Sequence, residues 1–542
     1  MARKKIAVIG AGASGLASIK CCLDEDLEPV CFEMTSNIGG LWRFEEKPEE
    51  GRASIYKSVI INTSKEMMCY SDFPIPDDYP NYMHNSKIMS YFQLYAKHFD
   101  LLKYIRFRTK VCYVRKCSDF TQTGQWNVVT ETNGKQESSV FDGVMVCTGH
   151  HTNAHLPLSS FPGIEKFKGR YLHSRDYKEP NEFTGKRVIV IGIGNSGVDI
   201  AVEISLMASQ VFLSTRRGAW IMNRVGDGGE PQDTFYNSRV VNSVIKYNAV
   251  RRVLHSLVRL KVNRRFNHAM YGLQPQHSLD SQHPTINDEL PNRIISGRVV
   301  VKPNVKAFAE TSVLFDNGSK EDNIDCVIFA TGYNFSFPFL DDCVKVVNNE
   351  VSLYKYMFPP LLEKPTLAII GLVQPLGAIM PIAEMQARWV TRVFKGNLLY
   401  PPVHSEHASV TIPMFLFYAR YVRSQRHTIQ VDYIEYMDEL AAQIPVNFSI
   451  WWLFLTDPKL ARAVFFGPCT PYQYRLQGPG KWDRARKTIL TQRERILKPF
   501  RTREICDSTS QSKQPFLFKA VLAVALFTAF LGWFEAFSAF VI

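Results

Sequence analysis

Lys5-Ile-Ala-Val-Ile9 runs without a break into Gly10-Ala11-Gly12-Ala13-Ser14-Gly15, and a helical stretch from Leu16 to Leu23 follows. A second apolar run, Glu28-Pro-Val-Cys-Phe32, ends at Glu33, which lies 23 residues after Gly10. Strand, glycine turn, helix and strand in that order read as a βαβ unit built to hold a dinucleotide. The first glycine allows the tight turn, the second lets the backbone approach a pyrophosphate, and the third lets the helix pack against the strand. The helix N-terminus then offers its partial positive charge to the phosphates. A carboxylate at the end of the second strand accepts hydrogen bonds from a ribose diol.

The same plan recurs downstream. Arg187-Val-Ile-Val-Ile191 leads into Gly192-Ile193-Gly194-Asn195-Ser196-Gly197, then a helix with Val198 and Asp199, then Gln210-Val-Phe-Leu213. Counting 23 residues from Gly192 gives Thr215, followed by Arg216 and Arg217. An acid there would repel a 2′-phosphate, whereas a hydroxyl beside a guanidinium attracts one through charge-assisted bonds. The first site therefore suits an unphosphorylated ribose and the second suits NADPH over NADH. A further repeat pairs Asp142-Gly-Val-Met-Val-Cys-Thr148-Gly149 with Asp325-Cys-Val-Ile-Phe-Ala-Thr331-Gly332. Each is read as a buried strand closing its own nucleotide fold.

These repeats predict an α/β protein with two Rossmann-like dinucleotide-binding domains, the second inserted into the first. The first domain is placed at residues 1–155 and resumes at 331–445. The second takes 156–213 and 296–330, interrupted by a largely helical insertion at 214–295. A C-terminal region and linker covers 446–514. Within the insertion, Val250, Val253, Leu254, Leu257 and Val258 have the spacing of an amphipathic helix, ringed by Arg251, Arg252, Arg259, Arg264 and Arg265. That stripe is read as packed on the core, with a membrane-surface contact as the alternative.

The chain has 542 residues, 46% of them hydrophobic and 21% charged, a balance that supports folded domains through most of its length. Its net charge of +13 is compatible with phosphorylated ligands or a membrane surface. No zinc-ligand spacing and no nucleic-acid-reading signature occurs, so neither a metal site nor a nucleic-acid partner is expected. The eleven cysteines are scattered with no C-x-x-C pair, the usage of a reducing compartment. A strand pattern from about Lys4 leaves no room for a signal peptide. Residues 515–542 carry only Lys519 and Glu535 as charges. At ~1.5 Å per residue, residues 520–542 would reach about 35 Å, enough to cross a bilayer core. The basic stretch before them (Arg484, Arg486, Lys487, Arg493, Arg495, Lys498, Arg501, Arg503) favours a cytosolic flank, so a C-terminal membrane-anchor helix is expected.

Further motifs give the pattern a family. Gly39-Gly40-Leu41-Trp42, Glu50-Gly-Arg-Ala-Ser-Ile-Tyr56, Asn62-Thr-Ser-Lys-Glu-Met67, Phe329-Ala-Thr-Gly-Tyr333, Phe466-Gly-Pro-Cys469 and Gly478-Pro-Gly-Lys-Trp482 are present. Between the two nucleotide folds stands F-x-G-x-x-x-H-x-x-x-Y, as Phe167, Gly169, His173 and Tyr177. In these motifs the chain resembles the flavin-containing monooxygenases of the vertebrate membrane-bound type, over essentially its whole length.

The resemblance implies FAD in the first fold, NADPH in the second, and oxygenation of soft nitrogen or sulfur centres of small molecules, xenobiotics among them. The oxidant would be a C4a-hydroperoxyflavin formed with O2 and shielded from water. It also implies an endoplasmic reticulum membrane location with the catalytic domains on the cytosolic side, and leaves an oligomer possible. The family's active-site asparagine falls on Asn62, whose amide can both donate and accept. Ala11, Ala13, Ser14, Gly40, Leu41, Trp42, Ile61 and Thr63 would join the FAD contacts. Asn195, Ser196, Gly197, Val198 and Asp199 would join those of NADP. His173 is read as structural rather than as a general base. Two departures stand out. The family's usual Gly-Tyr-Pro-Trp-Asp is here Gly229-Glu-Pro-Gln-Asp233, and the Thr expected after Pro381 is Ile382. Alternative readings are Baeyer–Villiger oxygenation of ketones, against which the final Tyr177 of the signature speaks, and a membrane-anchored flavoprotein with impaired turnover.

Overall fold

The computed structural model describes residues 3–49, 51–279, 281–340, 343–398 and 428–503. Two five-stranded parallel sheets organise it. In the first, Lys5–Ile9 lies between Glu28–Phe32 and Gly143–Val146; Leu367–Ile369 and Ile105–Arg106 form the edges. In the second, Arg187–Ile191 lies between Gln210–Ser214 and Cys326–Phe329, with Val299–Lys302 and Arg170–His173 outside them.

Both sheets are buried on both faces, which is why their strands read as unbroken apolar runs. In the second, Val188 and Val190 enter one hydrophobic cluster, while Ile189 and Ile191 enter the cluster on the opposite face. In the first, Ile6 and Val8 pack into the larger cluster with the helix Ala13–Asp24 and the helix Ile379–Lys395. Ala7 and Ile9 face the other cluster with Val144 and Val146.

The repeat extends to details. A three-stranded antiparallel sheet precedes each Thr-Gly strand: Thr109–Lys116, Trp126–Thr132 and Lys135–Phe141 in the first unit, Val305–Phe308, Val313–Phe315 and Lys320–Glu321 in the second. Asp142 accepts from the Lys5 amide at 2.8 Å, and Asp325 accepts from the Arg187 amide at 2.8 Å. The Thr-Gly strands do pair with their first strands, but neither is an edge. The returning chain adds Leu367–Ile369 beyond one, and Arg170–His173 flanks the other.

One expectation gains detail and one is corrected. Within the F-x-G-x-x-x-H-x-x-x-Y stretch, Arg170–His173 is the outer strand of the second sheet. A Cβ on Gly169 would lie 2.4 Å from the Phe167 ring and 2.8 Å from the Asp325 carbonyl oxygen, so this close approach needs glycine. The amphipathic helix exists, as Asn248–Arg265, but its buried line is Leu254, Val258 and Val262 against Trp220. Val253 and Leu257 face solvent.

The insertion is tied back to the C-terminal helices of the first unit. Arg239 makes a bidentate pair with Asp438 (2.7 and 2.9 Å) and donates to Gln473 at 2.7 Å. Among the described residues no helix is long and apolar enough to cross a membrane, and the expected anchor at 515–542 lies outside them.

Candidate functional site

Both glycine turns have the geometry that a close-lying phosphate demands. Gly10 and Gly192 adopt φ of +100° and +116°. A Cβ on Gly15 would sit 1.8 Å from the Gly10 carbonyl oxygen, and one on Gly197 would sit 2.1 Å from that of Gly192. The helices that follow, Ala13–Asp24 and Asn195–Ile204, are preceded by Gly12 and Gly194, with no side-chain cap on their first amides. Those amides are the orphan donors an anion satisfies.

In the first unit the Glu33 carboxylate is buried at the end of Glu28–Phe32. It accepts from the Ala11 amide (2.8 Å), the Thr35 amide (2.9 Å) and the Thr35 hydroxyl (2.7 Å). Three bonds leave roughly one of about four lone-pair positions for a ligand hydroxyl. The Gly40–Trp42 turn lies directly against the glycine loop, since the Gly39 amide donates to the Ala11 carbonyl at 3.0 Å. A Cβ on Gly40 would come within 3.2 Å of the Gly12 Cα. Ser14 faces Gly371, and Ala13 accepts from the Tyr70 hydroxyl at 2.8 Å.

Asn62 stands between Ile61, whose amide is held by the Met83 carbonyl at 2.9 Å, and Thr63. Its side-chain oxygen is buried and has no hydrogen-bond partner among the described residues. A buried amide oxygen left unpaired costs about 1–3 kcal/mol, so the position is one a ligand donor would stabilise. Next to it the Lys65 amine is enclosed and donates to the Asp77 and Tyr79 carbonyls (2.6 and 2.9 Å). Burial lowers its pKa to about 8.

In the second unit Thr215 ends the strand Gln210–Ser214, its hydroxyl accepting from the Gly218 amide at 3.0 Å. Arg216 and Arg217 are exposed, and neither has an ion-pair partner among the described residues. Asn195 accepts from the Ile286 amide at 2.8 Å, and Ser196 is exposed. Val198 is fully buried in the second core, so only its backbone can meet a ligand. Asp199 accepts from the Tyr56 hydroxyl (2.7 Å) and the Asn287 amide (2.9 Å). Burial raises its pKa. His173 is fixed as a neutral tautomer, Nε2 donating to the Gly332 carbonyl (3.0 Å) and Nδ1 accepting from the Arg175 amide (3.1 Å). Burial lowers its pKa.

Tyr56, Tyr177 and Asp199 stand in the motifs read from the sequence, but their pairing at the junction carries no short-range signal. Ser58 donates to Glu203 (2.8 Å) and Tyr56 to Asp199, so the first unit grips the helix of the second, and Tyr177 of the second unit donates to the same Glu203 carboxylate (2.9 Å). The contacts across the junction span 143 and 145 positions of sequence, beyond any spacing rule.

The chain matches the flavin-binding monooxygenase-like family over residues 3–535. It is 62% identical to human flavin-containing monooxygenase 5 over 534 residues, covering 98% of this chain and 100% of the relative. It is 54% identical to human flavin-containing monooxygenase 2 over 528 residues, covering 97% and 98%.

The chain belongs to the flavin-binding monooxygenase-like family.

It is therefore a flavin-dependent monooxygenase whose cofactors are FAD and NADPH. Solved structures agree in fold. S-allyl-L-cysteine S-oxygenase from Allium sativum superposes with a TM-score of 0.63 at 23% identity, covering 92% of this chain and 99% of that one. NADP+-bound cyclohexanone monooxygenase from Rhodococcus gives 0.56 at 16% identity, covering 81% and 97%. The glycine cradles, the uncapped helix starts and the unpaired Asn62 oxygen all fit the two nucleotides. The departure at Ile382 falls in the fully buried core of the first unit, on the helix Ile379–Lys395. That at 229–233 places Glu230 3.0 Å from Arg493 and Gln232 3.0 Å from Tyr236.

Proposed function

We propose that the first glycine turn with Glu33 holds the FAD adenosine and pyrophosphate, that Thr215 and Arg216 select the 2′-phosphate of NADPH, and that Asn62 is the active-site amide. When bound, the flavin supplies oxygen activation and the nicotinamide supplies the hydride. The chain's own task is to place the two, keep water out and offer Asn62 as donor and acceptor at the reacting end. The substrates are small molecules with soft nitrogen or sulfur centres, xenobiotics among them. The observation that carries this reading is the buried, unpartnered Asn62 oxygen.

The test is a purified yellow protein supplied with NADPH and a panel of a tertiary amine, a thioether and a ketone. N- or S-oxide supports the reading; ester or lactone as the dominant product would replace it with ketone oxygenation. Asn62→Asp should keep FAD and lose at least about 90% of oxygenation, a barrier increase of about 1.4 kcal/mol or more. An intact rate in that variant removes Asn62 from the chemistry.

The proposal extends to location. Residues 515–542 anchor the chain in the endoplasmic reticulum membrane with the nucleotide units in the cytosol. Supporting this are the apolar sequence of that segment and the basic flank before it. Exposed Trp451, Trp452 and Leu455 on Ile450–Thr456, and Val253, Leu257 and Leu260 beside arginines on Asn248–Arg265, suit contact with a lipid surface. Deleting residues 515–542 should release the protein from carbonate-washed membranes, while leaving binding to anionic vesicles at low salt. A truncated protein that ignores such vesicles would rule out the surface contact.

A further inference from the structure

Asp233 belongs to the insertion, yet its carboxyl reaches the loop that carries Asn62. Oδ2 accepts from the Ser64 amide at 2.7 Å. Among the described residues this is the one tertiary hydrogen bond to the backbone of residues 62–64; the flanking bonds are at Ile61 and Lys65. Oδ1 lies 3.2 Å from the Tyr82 hydroxyl, which is also 3.0 Å from the Arg224 carbonyl oxygen. One hydroxyl hydrogen cannot serve both acceptors. The Arg224 carbonyl already accepts from the Gln232 amide at 2.9 Å, so the Tyr82 hydroxyl can donate to Asp233 Oδ1. No cation pairs with Asp233 among the described residues, and burial raises its pKa.

The other side of the same insertion rests on the second nucleotide unit. The Arg224 amide and guanidinium meet the Asp288 carboxylate (3.1 and 3.4 Å). The neighbouring Asn287 donates to Asp199, and the Ile286 amide to Asn195. The insertion thus spans from the helix start of the second glycine turn to the backbone beside Asn62.

We propose that Asp233 is a positioning residue, whose carboxyl clamps the Ser64 amide and so fixes Asn62 relative to the second nucleotide site. The inference rests on the reading of Asn62 given above. Its clamp and its consequence can be measured separately.

Hydrogen–deuterium exchange of the segment around Ser64 reads the clamp without any turnover. Hydrogen peroxide released per NADPH consumed, against oxygenated product, reads the placement of Asn62. Asp233→Ala should keep FAD, lose protection of the Ser64 amide, and leak about tenfold more peroxide, the scale of one buried hydrogen bond lost. Asp233→Asn keeps a side-chain oxygen that can accept from the Ser64 amide. It should therefore stay within about twofold of the parent in both measurements.

A Ser64 amide still protected in Asp233→Ala, or unchanged peroxide release from a protein that oxygenates substrate, would overturn the proposal. So would an Asn variant as impaired as the Ala variant, since its amide oxygen can still accept from Ser64. If the parent protein oxygenates nothing while the Ala variant still loses Ser64 protection, the clamp stands and the role of Asn62 falls. Should Asp233→Ala not fold, Asp233→Asn and Tyr82→Phe carry the test. The Phe variant removes the Tyr82 hydroxyl that donates to Asp233 Oδ1 and should exchange faster at Ser64 than the parent; parental exchange in it would count against the clamp.

Discussion

Glu33 and Thr215 end equivalent strands of two equivalent units, and their difference is electrostatic. An acid with three protein donors already around it has room for a neutral hydroxyl and none for a phosphate. At Thr215 the nearest charges are the exposed guanidinium groups of Arg216 and Arg217. Solvent screening limits what an exposed cation contributes, so the expected effect is moderate. Arg216→Ala should raise the KM for NADPH about tenfold and leave that for NADH within about twofold, a loss near the lower end for a charge-assisted bond. Steady-state kinetics with both nucleotides checks this; a parallel rise for both would mean that Arg216 does not read the 2′-phosphate.

At the scale of elements, the glycine turns are the least forgiving parts. Gly197→Ala would force a Cβ to within 2.1 Å of the Gly192 carbonyl and 3.0 Å of the Ala330 Cβ. The expected variant stays yellow but fails to retain NADP+, as read by equilibrium dialysis; normal NADP+ affinity would contradict the tight-turn argument. The insertion has its own sensitive contact. His268 donates through Nδ1 to Asn263 (2.9 Å) and accepts at Nε2 from the Ile221 amide (3.1 Å), a pairing open only to the neutral ring. Burial lowers its pKa to about 4. An unfolded histidine binds its proton near 6.5, so the unfolded state takes up protons first as pH falls. The contribution of His268 is intact above about 6.5 and is lost as pH drops toward about 4, on the order of 3 kcal/mol in all. Thermal melts from pH 7 to 5 should fall less steeply in His268→Phe than in the parent, after allowance for the lower starting stability. An unchanged slope would remove His268 from the acid response.

At the scale of the molecule, polar contacts on the helix of the second glycine turn help to fix the relation of the two nucleotide units. Tyr56 and Ser58 of the first unit hold Asp199 and Glu203 on the helix that starts the second site. Losing both hydroxyls in Tyr56→Phe/Ser58→Ala leaves two carboxylates with fewer donors, at about 1–2 kcal/mol each. The expected outcome is a KM for NADPH raised about tenfold or more with FAD content unchanged. A double variant with parental NADPH kinetics would show that other contacts set the geometry.

The strands, the glycine turns, the order of the two units and the acid-to-hydroxyl contrast were all readable along the chain, because each depends on neighbours within about 25 residues and on backbone geometry that glycine alone tolerates. The helix Asn248–Arg265 was readable as a helix but not in its orientation. Its sequence offers two apolar lines, and Trp220, from a different part of the insertion, determines that Leu254, Val258 and Val262 are the buried one. The reach of Asp233 to Ser64 and of Tyr56 to Asp199 crosses 169 and 143 positions. Such pairings depend on where packed sheets and helices bring distant segments together, and no local spacing encodes them. The chain thus carried the two glycine turns in its local pattern, while the contacts that join the insertion and the two units arose from folding the whole.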